Sequence, residues 1–140
     1  MPTRPLLLLL MSCLLSACGA SFVDSGQELG SNDSRSLALA DLDGDGDLDM
    51  AVANLNQGNR IYFNDGNAVF ENAGQSLGTN ASRDVALGDV DGDGDLDMVI
   101  ANENQPNRIY LNDGTGFFTN SELELGTSNS HAVALADIDA

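Results

Sequence analysis

Lysine is absent from this sequence, and its side-chain positive charge consists of five arginines that never cluster. Against them stand 22 Asp and Glu residues, for a formal net charge of −17. Such a surface repels phosphate backbones and has no basic stripe to hold them, which argues against nucleic acid as a partner. Histidine occurs once, at His131, and cysteine twice, at Cys13 and Cys18. That leaves little for a hydrolase triad or a zinc site. Long apolar runs are missing except at residues 6–15, where only Ser12 interrupts a stretch of Leu, Met, Cys and Leu. A run of that length is too short to span a bilayer. Helical periodicity is missing too, since no stretch of ten or more residues repeats its apolar positions at helical spacing.

The short apolar run has the length of a signal-peptide core, and Arg4 supplies the positive segment before it. It ends in Leu15-Ser16-Ala17-Cys18, which resembles a bacterial lipobox. Residues 1–17 are therefore expected to be a lipoprotein signal peptide, Cys18 the lipidated residue, and 18–21 a short lipidated linker. Cleavage after Ala17 or Ala20, as in an ordinary secretory signal, is the competing reading. The expected location is the bacterial cell envelope, with the membrane engaged only through the N-terminal lipid. Cys13 would leave with the leader, so the mature chain has no disulfide, and millimolar external Ca²⁺ is the candidate substitute for cross-links.

The most informative segment occurs twice. D-L-D-G-D-G-D-L-D fills residues 41–49 and D-V-D-G-D-G-D-L-D fills 89–97, with a third start at Asp137 and Asp139. Oxygen ligands on alternate residues, with glycines between them, suit a hard cation such as Ca²⁺; Mg²⁺ demands a tighter octahedron and fits less well. By analogy with other Asp-rich calcium loops, positions 1, 3, 5 and 9 give carboxylates and position 7 its backbone carbonyl. These are Asp41, Asp43, Asp45, Asp49 and, through the carbonyl, Asp47; the second set is Asp89, Asp91, Asp93, Asp97 and Asp95. Asp137 and Asp139 form an incomplete third site that should bind weakly or not at all. Crowded carboxylates repel one another, so without a cation the loop should open or take up protons. An EF-hand would need Glu at position 12 and a helix on each side, but Val52 and Ile100 stand there. A solvated Asp-rich turn that binds nothing is the bland alternative.

The loops lie 48 residues apart, and the match extends beyond them: 29 of 48 positions are identical between the stretches starting at Asp41 and Asp89. Phe22, Phe70 and Phe118 fall in register, as do residues 59–62 with 107–110 and 64–66 with 112–114. A repeat of this length indicates a solenoid, a propeller or an array. Inside one unit, short runs at 36–40 and 84–88 lead into the loop, and apolar runs at 50–53 and 98–101 leave it. Large and small side chains alternate in the first run, which predicts a strand packed on both faces. Runs at 60–63 and 108–111 follow, then Asp-Gly, then 68–70 and 116–118, a hairpin signal. Four short strands per unit describe a β-propeller blade.

The Asp-rich loop, with F-x-N-x-G-x-x-L-G before it and N-R-I-Y-x-N-D-G after it, resembles the FG-GAP/VCBS-type repeat of integrin-α-like propellers. The likeness spans residues 22–140 and implies units at 22–69, 70–117 and 118–140. The expected fold is all-β, an incomplete β-propeller of about two and a half four-stranded blades. Propellers of that family usually have about seven blades. The sequence is thus expected to be a shortened product of a longer gene, or a short protein that completes a ring by self-association through open blade edges. The resemblance implies a non-catalytic, Ca²⁺-binding module on the envelope, for adhesion, binding or scaffolding, with an unknown protein or carbohydrate ligand. The alternative it implies is an accessory propeller fragment of a larger secreted enzyme acting on polysaccharide or lipid.

Other signals carry less. Residues 74–78 read G-x-S-x-G, but Ser76 aligns with Glu28 and Glu124 and belongs to a loop rather than a nucleophile elbow. His131 aligns with Arg35 and Arg83, so it is expected at the surface. Arg60 and Arg108 are read as neutralising nearby carboxylates, and Tyr62 and Tyr110 as strand packing.

Overall fold

The computed structural model describes residues 24–138. Cys13, Cys18, Phe22, Asp139 and the whole leader lie outside them. Eight strands follow one another without a helix among the described residues: β1 Ser34–Ala40, β2 Asp49–Asn54, β3 Arg60–Asn64, β4 Phe70–Asn72, β5 Ser82–Gly88, β6 Asp97–Asn102, β7 Asn107–Asn112 and β8 Phe118–Leu125. They form two four-stranded antiparallel meanders, β1-β2-β3-β4 and β5-β6-β7-β8. These are two blades of a partial β-propeller, the architecture the repeat predicts. Each sheet takes its fourth strand from the start of the next sequence unit, since β4 begins at Phe70 and β8 at Phe118.

Side-chain alternation decides what each blade face touches. In β2 every residue is buried. Ala51 and Ala53 join Ile61, Leu42 and, from the second blade, Val85, Met98, Ile100, Tyr110 and Phe118 in one core. The seam between the blades is therefore the main hydrophobic layer, and burial there drives their association. Met50, Val52 and Tyr62 point to the other face of the first blade, where Leu29 and Phe70 pack on them. Tyr62 donates its hydroxyl to the Leu29 carbonyl at 2.6 Å, so the tyrosine serves strand packing as the sequence implies.

Polar side chains lock the seam. Gln75 donates from Nε2 to the Gly116 carbonyl at 2.6 Å and accepts from the Phe118 N–H at 2.9 Å. Away from the seam, on the other face of the first blade, Gln27 makes the same pair of bonds to Ala68 and Phe70 at 2.6 and 2.8 Å. Asp84 accepts from the Ser36 hydroxyl at 2.6 Å and from the Val133 N–H at 3.0 Å, tying together three successive inner segments. Residues 126–138 follow β8 without joining a ladder. They hold the third unit's counterpart of the β1 and β5 sequences.

Two expectations need correction. β1 is not packed on both faces: Leu37 and Leu39 are 57% and 52% exposed, whereas Val85 at the matching place in β5 is 6% exposed. The difference is neighbourhood, because the first blade covers Val85 of β5, whereas β5 covers only the Ala38 and Ala40 face of β1 and no described blade covers the Leu37 and Leu39 face. Arg60 reaches the Gln75 carbonyl at 3.0 Å instead of a carboxylate. Arg108 does pair with Glu124, at 2.9 Å. The hairpin expected around Asp-Gly is present between β3 and β4, its turn running 65–69 with the Asp65 N–H donating to the Val69 carbonyl at 3.1 Å. His131 is exposed, as its register suggests.

Candidate metal centre

Both Asp-rich loops join the innermost strand of a blade to its second strand. Gly44 and Gly46 (φ 80° and 93°) and Gly92 and Gly94 (φ 83° and 99°) take the left-handed backbone that curls the loop. The curl is fixed by the carboxylates themselves. Asp41 accepts the Gly44 N–H at 2.8 Å and the Gly46 N–H at 3.0 Å, and Asp89 accepts those of Gly92 and Gly94 at 2.7 and 3.1 Å. Asp49, wholly buried, accepts the Leu42 N–H and the Asn64 N–H, both at 2.9 Å. Asp97 repeats this with Val90 and Asn112, again at 2.9 Å. The ninth residue thus closes the loop and ties it to the third strand of the blade.

This brings three carboxylates together in each loop. Oxygens of Asp41, Asp43 and Asp49 lie within 4.8 Å of one another, and so do those of Asp89, Asp91 and Asp97. The other predicted residues sit differently. Asp45 lies at the exposed tip, outside that group, and accepts the Asp47 N–H at 2.9 Å; Asp93 and Asp95 do the same at 2.9 Å. The Asp47 carboxylate lies over Gly66, with an oxygen 2.5 Å from where a β-carbon there would stand, and Asp95 lies over Gly114 at 2.6 Å. Both side chains are thereby turned toward the β3–β4 or β7–β8 turn, away from the group of three carboxylates. Asp137 is described and exposed, beside Leu135, Gly88 and Asp89; Asp139 is outside the described residues.

The donor set is oxygen only and short of positive charge. Lost solvent and the charges of Asp49, Asp45 and Asp41 push the Asp43 carboxyl above its ordinary value, against the Asp45 N–H that lowers it. Asp91 is raised in the same way, by lost solvent and by Asp93, Asp97 and Asp89. A hard divalent cation relieves that crowding, and each bonded carboxylate oxygen retains a lone pair for it. The residues present fit Ca²⁺.

Sequence reading missed Asn112. It donates from Nδ2 to the Leu42 carbonyl of the other blade at 2.9 Å and to the Leu96 carbonyl at 3.2 Å, and accepts the Gly116 N–H at 3.0 Å. Its recurrence as Asn64 was the available signal. Comparison with protein families matches the chain to the FG-GAP-like repeat over residues 41–100 and again over 89–140. Comparison with curated proteins finds no match.

Proposed function

The chain belongs to the FG-GAP-like repeat family, and from that premise we propose that it is a non-catalytic, calcium-stabilised propeller module that binds or scaffolds at the bacterial envelope. The observation that carries the metal reading is repetition in space: the same three carboxylates converge in both blades, each group closed by a buried ninth Asp. Asp41, Asp43 and Asp49 would hold one ion and Asp89, Asp91 and Asp97 the other, with the Asp45 and Asp93 carboxylates and the Asp47 and Asp95 carbonyls completing the sets. The ion would supply positive charge that pulls the loop shut, so its binding energy becomes folding energy. The envelope location rests on the leader and on lipidation of Cys18. Among the described residues, no helix is long and apolar enough to cross a membrane.

Thermal unfolding in Ca²⁺, in Mg²⁺ and in chelator tests the metal reading. Extracellular calcium modules bind at about 10⁻⁴–10⁻³ M. Saturation to a hundred times Kd stabilises by about 2.7 kcal/mol per site. For a domain of this size each kcal/mol raises Tm by about 4–8 °C. Ca²⁺ should therefore raise Tm by well over 10 °C, Mg²⁺ by much less, and Asp43→Asn or Asp91→Asn should each remove part of the gain. Equal melting in Ca²⁺ and in chelator would sink the metal reading.

A further inference from the structure

One residue touches both Asp-rich loops. The Asn112 backbone N–H donates to Asp97, which closes the second loop, at 2.9 Å. From Nδ2 the same residue donates to the Leu96 carbonyl of that loop at 3.2 Å and, across the seam, to the Leu42 carbonyl of the first loop at 2.9 Å. Leu42 stands between Asp41 and Asp43, and Leu96 between Asp95 and Asp97. The amide therefore bonds one residue away from candidate ligands on both sides of the seam. Asn64 has the matching bonds inside its own blade, to Asp49 at 2.9 Å and to Leu48 at 3.2 Å. The bond across the seam belongs to Asn112.

The turn that follows Asn112 is shared in the same way. Its Gly116 N–H donates to Asn112 Oδ1 at 3.0 Å, which holds the turn against the amide. The Asp95 carboxylate of the second loop lies over Gly114. The first loop meets the same turn: a β-carbon on Gly44 would stand 3.6 Å from the Gly114 carbonyl oxygen, and one on Gly116 would stand 3.5 Å from the Asp43 β-carbon. Asn112 and Gly116 are both buried, so solvent has little room to replace these contacts.

We propose that the two loops are coupled through Asn112 and the turn after it, so that Ca²⁺ in one loop raises the affinity of the other. This rests on the calcium reading of both loops. The two states are the ones the carboxylates dictate, a loop that opens when empty and one that is closed when filled. Closing the first loop fixes the Leu42 carbonyl and, through it, the Asn112 amide. Closing the second fixes Asp97 and the Leu96 carbonyl, which hold the same residue from the other blade. Whichever loop closes first orders the shared turn, and the other loop no longer bears that cost. The coupling is reciprocal, with one factor in both directions. Two cations repel through space, so charge alone would make the second bind more weakly. Asn112 is thus a positioning residue for both sites.

Calorimetric titration of Ca²⁺ into the mature chain tests this. Asp43→Asn disables the first site and Asp91→Asn the second; neither residue is buried, so the fold is retained. In the native chain the product of the two association constants should exceed the product of the two single-site constants. The expected ratio is about fivefold, the low end for coupled sites, because one side chain and one turn carry it. Repeated in the Asn112→Ala background the ratio should fall to one, and in the Asn64→Ala background it should stand. A ratio of one or less in the native chain overturns the coupling while leaving both metal sites in place. A ratio that survives Asn112→Ala overturns the route through the seam. Absence of binding heat in the native chain removes the metal sites themselves, and the proposal with them.

Discussion

Gly116 is the position where the seam makes its sharpest demand. It is buried, has φ +74°, and faces the Phe63 ring of the other blade. Gly116→Ala would place a methyl against that ring and a side chain on a left-handed backbone. The backbone change costs about 1–2 kcal/mol, and reduced freedom of the unfolded chain returns roughly 0.4–1 kcal/mol of it. Overpacking adds about 1–3 kcal/mol, toward the low end here because the ring is only partly buried and can swing outward. The net loss is about 2 kcal/mol, which lowers Tm by roughly 10 °C at this domain size.

The decisive comparison is the double variant. Phe63→Leu alone should cost about 1 kcal/mol as a modest loss of volume. Combined with Gly116→Ala it should give back most of the overpacking, since Leu and Ala already occupy the matching positions 111 and 68. Ala68 itself takes φ 60°, so the backbone conformation alone does not forbid alanine. A coupling energy of about 1–2 kcal/mol, measured by denaturant unfolding of all four proteins in Ca²⁺, is the expected result. Strict additivity would refute the seam packing described here, and so would a Gly116→Ala variant as stable as the native chain.

Two further outcomes follow from other parts of the chain. Burial raises the Asp84 carboxyl, but bonds from Ser36, Val133 and Val85 outweigh it and leave the folded value below the ordinary one. The sign is that of a depressed acid: its stabilisation is complete above the unfolded pKa and is lost as pH falls through the folded one. Asp84→Asn should thus be less stable than the native chain at neutral pH, with the gap closing in acid; a gap that widens in acid contradicts this. Cys18→Ala should move the exported protein from the detergent phase to the aqueous phase, and a native protein found in the aqueous phase would remove the lipid anchor.

What sequence could reveal was the unit, and what it could not reveal was the company each unit keeps. Alternating Asp and Gly over nine residues dictates a curled oxygen-rich loop, and a 48-residue period with four apolar runs dictates a blade, because both depend on neighbours along the chain. Leu37 and Val85 occupy the same place in that period and differ roughly tenfold in exposure. Only the adjoining blade distinguishes them, and repetition in sequence is blind to it. The same blindness hid Asn112, whose partner Leu42 is 70 residues away. It also sent Arg60 to a carbonyl when composition suggested a carboxylate.

That dependence on neighbours makes the two loops unequal, though their sequences differ at one position in nine. Leu42 is held from three sides: its N–H by Asp49, its carbonyl by Asn112, and its side chain, 2% exposed, in the core. Val90 has the Asp97 bond, but its side chain is 40% exposed. A loop already fixed loses less freedom when an ion orders it, so the first loop should bind Ca²⁺ more tightly than the second. Asn112→Ala tests the cause. It strands the Leu42 carbonyl in the seam, a loss of about 1–3 kcal/mol. If roughly 1.4 kcal/mol of that falls on the ion-free loop, affinity at the tighter site drops about tenfold. Asn64→Ala, the matching change in the first blade, removes only the longer, exposed bond from Nδ2 to the Leu48 carbonyl at 3.2 Å and keeps the backbone N–H on Asp49, so it should weaken that site much less than Asn112→Ala does. Calorimetric titration of both variants separates the cases. Equal weakening of both sites by Asn112→Ala, or the same effect from Asn64→Ala, would show that the seam does not set the affinity.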